Sequence, residues 1–141
     1  MNRPSAIVSV SVSVALVALS GLGCATNPPQ PSVPLGQPFE LRLGTSATLP
    51  DGLKVTFDTV KSDSRCPSDA ICVWAGEAVV ALTLSQSAGG QVQRELRTTA
   101  GASETLYLTY VVKLAALAPY PRSAQQIRPE DYVATFTVDT R

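Results

Sequence analysis

The 141-residue chain contains no histidine, only three cysteines and a single tryptophan. The absence of histidine excludes the serine and cysteine hydrolases that use an imidazole base. It also excludes imidazole-bound zinc and copper sites, including the blue-copper centre that needs two histidines beside a cysteine. No Ser-x-x-Lys motif is present either. We therefore expect a protein that is not an enzyme and that binds no cofactor.

An excess of charge of either sign is also missing. Lysine and arginine total 11, and aspartate and glutamate total 11. The charges are scattered along the chain, with no basic block or stripe that could neutralise a phosphate backbone. The sequence therefore indicates no nucleic-acid partner.

The first 23 residues have the organisation of a bacterial export signal. Arg3 supplies a positive charge, residues 6–19 are almost wholly small or apolar, and small residues precede Cys24. The apolar run is too short to be a membrane-spanning helix with a stop-transfer flank. Residues 21–24, Gly-Leu-Gly-Cys, resemble a lipobox, in which a peptidase cuts before a cysteine that then carries acyl chains such as palmitate. Ordinary cleavage after Ala25, giving a soluble periplasmic or secreted protein, is the alternative.

The lipobox implies a mature chain that begins at Cys24 and is held in the cell envelope by its lipid. Ala25 follows the cysteine, and the absence of aspartate there resembles the sorting signal for the outer membrane, facing the periplasm. Residues 25–38 contain five of the chain's 11 prolines. We expect residues 24–38 to form an extended tether of about 40 Å, at about 3.1 Å per residue.

Beyond the tether, apolar and polar residues alternate with a period of two, which is typical of strands with one buried face. This pattern predicts a domain over residues 39–141 that folds as an antiparallel β-sandwich of immunoglobulin-like type, with a small closed β-barrel as the alternative. The proline-containing stretch 115–130 is expected to be a loop that crosses between sheets. Predicted strands fall at 39–43, 53–58, 72–84 (central), 91–98 (edge), 106–114 and 132–138.

Cys66 and Cys72 are the only thiols left by either cleavage route, because Cys24 is then either acylated or removed. An even pair of cysteines in an exported chain predicts a disulfide. Trp74 lies two residues beyond Cys72, so strand periodicity places both on one face, and we expect the indole to pack on the disulfide in the core. Gly76 continues that face as part of the predicted core, where it would permit a β-bulge or a close approach of a neighbouring backbone.

Two functional readings of the same segment stay open. The disulfide-closed loop around residues 67–71, or the stretch 119–129, could present a rigid surface to a protease or another envelope protein, with Pro67, Ser68 and Asp69 as candidate contact residues. Alternatively, nearby carboxylates could bind calcium, although their spacing matches no known calcium loop. These carboxylates are Asp58, Asp63, Asp69 and Glu77.

Residues 63–67, Asp-Ser-Arg-Cys-Pro, and residues 72–78, Cys-Val-Trp-Ala-Gly-Glu-Ala, resemble a recurring segment of uncharacterised bacterial envelope lipoproteins. The resemblance extends more weakly to residues 110–121 and 132–138. It implies an envelope location and a compact β fold, and it adds no chemical mechanism. The sequence thus predicts a lipid-anchored, non-enzymatic binding or structural module, or a module that binds a partner or inhibits a protease through residues 66–72.

Overall fold

Eight antiparallel strands and one short 3-10 helix, Pro129–Asp131, make up the part of the protein that the computed structural model describes, residues 32–141. The predicted export signal, Cys24 and the first part of the predicted tether lie outside the described residues. No helix within residues 32–141 has the length and apolar character needed to span a bilayer. The strands are β1 Phe39–Arg42, β2 Ser46–Thr48, β3 Lys54–Asp63, β4 Ala78–Gln86, β5 Gly90–Arg97, β6 Glu104–Tyr107, β7 Tyr110–Ala118 and β8 Val133–Thr140.

The strands form two four-stranded sheets, in the orders β1-β8-β7-β6 and β2-β3-β4-β5. All pairings are antiparallel, and the sheets do not close into a barrel. The predicted antiparallel β-sandwich is confirmed. Its likeness to immunoglobulin domains lies in the two packed sheets, since the strands here follow one another as a meander rather than through Greek-key connections.

The core lies between the sheets and is built from the inward-facing residues of the alternating strands. Phe57 of one sheet meets Phe136 of the other edge to face, with ring centroids 6.2 Å apart. Strand β4 is buried on both faces from Ala78 to Leu82, as predicted for a central strand. Its predicted start at residue 72 is wrong, because residues 72–77 form a loop and pairing with β3 begins only at Ala78.

Two further strand predictions need correction. Residues 106–114 are not one strand but the hairpin of β6 and β7, which turns at Leu108 and Thr109. A two-residue turn without glycine gave no signal in the alternating pattern. The loop after β7 returns to β8 in the same sheet, so the predicted crossing between sheets at 115–130 is also wrong.

The domain begins earlier than its predicted start at residue 39. Ser32 forms a bridge with Thr48, and the Gly36 amide donates a hydrogen bond to the Val138 carbonyl at 2.8 Å. The side chain of Val33 packs against the core. Residues 32–38, predicted as tether, are therefore attached to the sandwich.

The meander gives the sandwich two distinct ends. We call one end the terminal pole, and it contains residues 32–36, the β6–β7 turn and the end of β8. Two backbone hydrogen bonds bring these parts together, from the Gly36 amide to the Val138 carbonyl and from the Arg141 amide to the Thr109 carbonyl. The loop pole contains residues 64–77 and 119–132, at the far ends of the same strands. The ten residues of β3 run from one pole to the other, a distance of about 30 Å at about 3.3 Å per residue.

Leu108 provides a test of the hairpin turn, because its φ of 54° lies in the left-handed region that leucine rarely adopts. Replacing it with asparagine, which tolerates this region, should raise the free energy of unfolding by about 1 kcal/mol. The control is Leu106→Asn, at a similarly exposed position with ordinary backbone angles, which should not stabilise. Urea unfolding of both variants measures the difference, and an equal effect of the two substitutions would argue against strain at the turn.

Candidate functional site

A buried ion pair between Arg65 and Asp63 lies at the centre of the loop pole. Only 7% of Arg65 is exposed. Its Nε donates to Oδ1 of Asp63 at 2.8 Å and its Nη2 to Oδ2 at 2.6 Å. The guanidinium therefore grips the carboxylate with two parallel hydrogen bonds, the strongest arrangement for this pair.

The same guanidinium also holds the chain that follows β7. Nη1 donates to the Leu117 carbonyl at 2.6 Å, and Nη2 donates to the Pro119 carbonyl at 2.9 Å. The guanidinium carbon of Arg65, Cζ, lies 5.0 Å from the centroid of the Tyr120 ring, in a cation–π contact. Arg65 thus joins the end of β3 in one sheet to the end of β7 in the other, which a lysine with its single ammonium group could not do in this geometry.

Tyr132 completes this buried cluster by donating its hydroxyl to Oδ2 of Asp63 at 3.0 Å. Burial, followed by the hydrogen bond to Asp63 and its negative charge, raises the pKa of Tyr132 to about 12. Burial also opposes ionisation of Asp63, but its hydrogen bonds with Arg65 and the charge of Arg65 outweigh that effect and hold the pKa of Asp63 below its ordinary value. The cluster is therefore an ionised carboxylate held by a cation and a neutral phenol.

The predicted disulfide between Cys66 and Cys72 is confirmed, with the two Cα atoms 5.9 Å apart. It closes a loop directly beside the ion pair. Backbone hydrogen bonds hold the loop on both sides, from the Cys66 amide to the Ala75 carbonyl at 2.8 Å and from the Ser68 amide to the Pro121 carbonyl at 2.9 Å. The loop is consequently fixed to its own base and to the neighbouring 119–132 segment.

Gly76 makes the close backbone approach that the sequence predicts. Its φ is +66°, and a Cβ atom at this position would lie 1.8 Å from the Ser64 carbonyl oxygen. The two chain segments at the base of the loop meet beside Gly76, where the Ser64 amide donates a hydrogen bond to the Glu77 carbonyl at 2.8 Å. Gly76 is only partly buried, so its role is in the backbone rather than in the core.

The core position predicted for Trp74 is wrong. Its exposed fraction is 82%, that of Val73 is 90% and that of Ile71 is 104%. The prediction assumed a strand through residues 72–76, but this segment is a loop, so the period of two does not apply and the disulfide lies at the surface with Cys72 exposed. We call Ile71, Val73 and Trp74 the apolar tip.

The predicted contact residues Pro67, Ser68 and Asp69 lie on the side of the loop that adjoins the 119–132 segment. Oδ1 of Asp69 accepts hydrogen bonds from the Ser123 amide at 2.9 Å and from the Ser123 hydroxyl at 3.0 Å. The backbone bond from Ser123, with help from its hydroxyl, lowers the pKa of Asp69. Ser68 bonds to Pro121 through its amide, and Ser68 and Asp69 are both exposed. The predicted loop 66–72 includes Ile71, whereas Val73 and Trp74 lie beyond it and were not among the predicted contact residues.

The four carboxylates considered as calcium ligands have separate partners. Asp63 pairs with Arg65 and Asp69 with Ser123, while Asp58 accepts a 2.7 Å hydrogen bond from the Thr83 hydroxyl. Glu77 pairs with Arg97. Within residues 32–141, no three acidic or cysteine side chains lie together as a metal site would require.

The loop pole also contains a shallow, polar depression of about 390 Å³. Two glutamines and two charged side chains line it together with the apolar side chains of Pro119 and Ile127 and the ring of Tyr120. The side chains that line it include Tyr120, Arg122, Gln125, Gln126 and Asp131. The chemistry available at this pole is thus apolar contact at the tip and hydrogen bonding in the depression.

The chain matches no protein-family model, no curated protein and no solved structure. The resemblance of residues 63–78 to envelope lipoproteins stays a prediction from the residues themselves.

Removing the guanidinium tests how far the loop pole depends on Arg65. Arg65→Leu leaves Asp63 buried without its cation and the Leu117 and Pro119 carbonyls without donors, so we expect a loss of about 3–5 kcal/mol in the free energy of unfolding. The control, Arg128→Leu, breaks an exposed ion pair with Asp131 and should cost at most about 1 kcal/mol. Denaturant unfolding measures both, and similar losses in the two variants would contradict the central role of Arg65.

The lowered pKa of Asp63 predicts a loss of stability in acid. A carboxylate whose pKa is lower in the folded than in the unfolded state stabilises the fold above its unfolded pKa of about 3.9, and this contribution is lost as the pH falls through the folded value. The difference in unfolding free energy between wild type and Asp63→Asn should therefore shrink as the pH falls below about 4. A difference that stays constant down to pH of about 2 would show that the charge of Asp63 does not matter.

Proposed function

We propose that the protein is a lipid-anchored, non-enzymatic binding module of the cell envelope, and that its contact surface is the apolar tip. The observation that carries this proposal is the exposure of three large apolar side chains within four residues, Ile71, Val73 and Trp74, on a loop whose backbone is fixed.

Exposed apolar side chains of this size favour association because burying each one contributes about 1.5–3 kcal/mol relative to leaving it in water. Tryptophan in particular is enriched among residues that dominate binding. A loop held by a disulfide and by the bonds of Cys66 and Ser68 also loses little conformational entropy when it binds. Both the side chains and their rigid support therefore suit recognition.

The surroundings of the tip support a role without catalysis. Asp63, which precedes the disulfide loop, and Asp69, which lies within it, are engaged in hydrogen bonds that hold the loop. The chain has no histidine to act as a base. The groups at this pole are thus arranged to support a surface rather than to activate a nucleophile.

The proposed attachment to the envelope is through Cys24, eight positions ahead of Ser32 in the chain. The first 23 residues form the export signal, and the acylated cysteine places the domain at the outer membrane on its periplasmic side. Several acyl chains, at about 0.8 kcal/mol for each buried methylene, hold such a protein stably. Soluble export after cleavage at Ala25 is the competing outcome.

Replacing the cysteine tests the anchor. In cells grown with labelled palmitate, Cys24→Ser should abolish labelling and move the protein from the membrane fraction to the soluble fraction. The control variant Cys66→Ser with Cys72→Ser keeps Cys24, so it should stay labelled and membrane-bound. A Cys24→Ser protein that is still labelled and still sediments with membranes would refute the anchor.

A further inference from the structure

We infer that the apolar tip docks into an apolar pocket of a second envelope protein, which approaches from the side of the domain that faces away from the anchoring membrane. This inference rests on the proposed function, and it identifies the kind of partner that the contact surface fits.

The first argument is the position of the tip relative to the anchor. The described chain starts at the terminal pole, where Ser32 pairs with Thr48, whereas the tip lies at the loop pole. The poles are separated by the length of β3, about 30 Å. The eight residues from 24 to 31 can reach about 25 Å in an extended proline-rich conformation. In an upright domain the tip is therefore at least one domain length away from the lipid.

The second argument concerns the anchoring bilayer as an alternative partner. The tip could reach that bilayer only if the domain lay on its side, with a sheet face or edge against the headgroups. The outer faces there carry opposite charges in contact, such as Lys61 with Glu95 and Lys113 with Glu104. At the described part of the loop pole, Arg65 is buried and Arg128 is paired with Asp131, which leaves Arg122 exposed outside any ion pair. A single arginine falls short of the cluster of cations that attracts anionic lipid.

The third argument concerns a second copy of the chain. Two convex tips that met each other would bury little beyond their own side chains, of which tryptophan, the largest, supplies at most about 250 Å², whereas a stable interface buries about 800 Å² on each partner. The tip is also convex, since Ile71 is 104% exposed, and it needs a hollow to enter. One depression among residues 32–141, beside β3 and β4, is lined by glycines and polar residues such as Lys54. Two at the loop pole mix polar side chains with Tyr120, Tyr132 and Ile127. These depressions of a second copy therefore offer no socket built from apolar side chains alone.

These limits define the partner's chemistry. Its pocket must be concave and apolar, deep enough for an indole and a branched aliphatic side chain. It must also offer a hydrogen-bond acceptor to the indole N–H of Trp74, which would otherwise be buried without a partner. The contact is small and central, as expected for an anchor residue surrounded by a weaker rim.

The inference is tested with the full-length chain in intact cells. A photo-reactive amino acid is placed at position 71 or 74, and at the exposed control positions 35 and 106, which are leucines away from the tip. We expect irradiation to give one protein adduct of defined mass at 71 and 74 and none at the controls.

The adducted protein, once purified, should bind the wild-type domain. Trp74→Ala should weaken that binding by at least about tenfold and Leu106→Ala by less than about twofold. Thermal unfolding should show both variants folded.

Other outcomes overturn the inference in distinguishable ways. Adducts with lipid at 71 and 74 identify the bilayer as the partner, and an adduct of twice the chain mass identifies a second copy. Adducts at 35 or 106 alone show that binding uses another surface, which refutes the tip as the contact surface and keeps only the binding role of the proposed function. No adduct at any position, or a captured protein whose affinity is unchanged by Trp74→Ala, also refutes docking through the tip. The palmitate experiment reports on the anchor independently of all these results.

Discussion

The hydrogen bonds of one guanidinium hold the loop pole together. Arg65 lies at the end of β3, grips Asp63 two residues away and reaches two carbonyls beyond β7, in the opposite sheet. Because both sheets end at this point, the cation closes the sandwich where its apolar core gives way to loops. Its position is buried, so each bond replaces one that water can no longer supply.

The disulfide loop and the 119–132 segment depend on this closure. Each would be a separate surface loop without it, yet they are joined by Arg65, by the Ser68 amide on Pro121 and by the Asp69 carboxylate on Ser123. Of these joining groups only Arg65 is buried, while Ser68, Asp69 and Ser123 are exposed. The large apolar side chains of the tip also face outward, the reverse of the usual distribution of apolar side chains.

The sequence was informative where one local rule applied. Alternation located the core strands around Phe57 and Phe136, and counting cysteines found the Cys66–Cys72 bond. The alternating pattern gave a wrong prediction at Trp74, because the apolar residues of a loop were interpreted with the two-residue period of a strand. Arg65 was overlooked as the organiser because its carbonyl partners are 52 and 54 residues away, a relation that no local pattern records. The hairpin turn at Leu108 was missed since leucine gives no turn signal.

Gly76 and the apolar tip obey opposite constraints within a few residues of each other. Position 76 admits no side chain, because the Ser64 carbonyl occupies the space of a Cβ. The almost fully exposed side chains of Ile71 and Val73, by contrast, contribute little to the packing of the fold. Evolution can therefore exchange the tip residues at little cost to folding, while the frame that displays them stays fixed. The sandwich thus supports a tip whose side chains can change by single substitutions without loss of the fold. Under the proposed function, such substitutions would change which partner the protein binds.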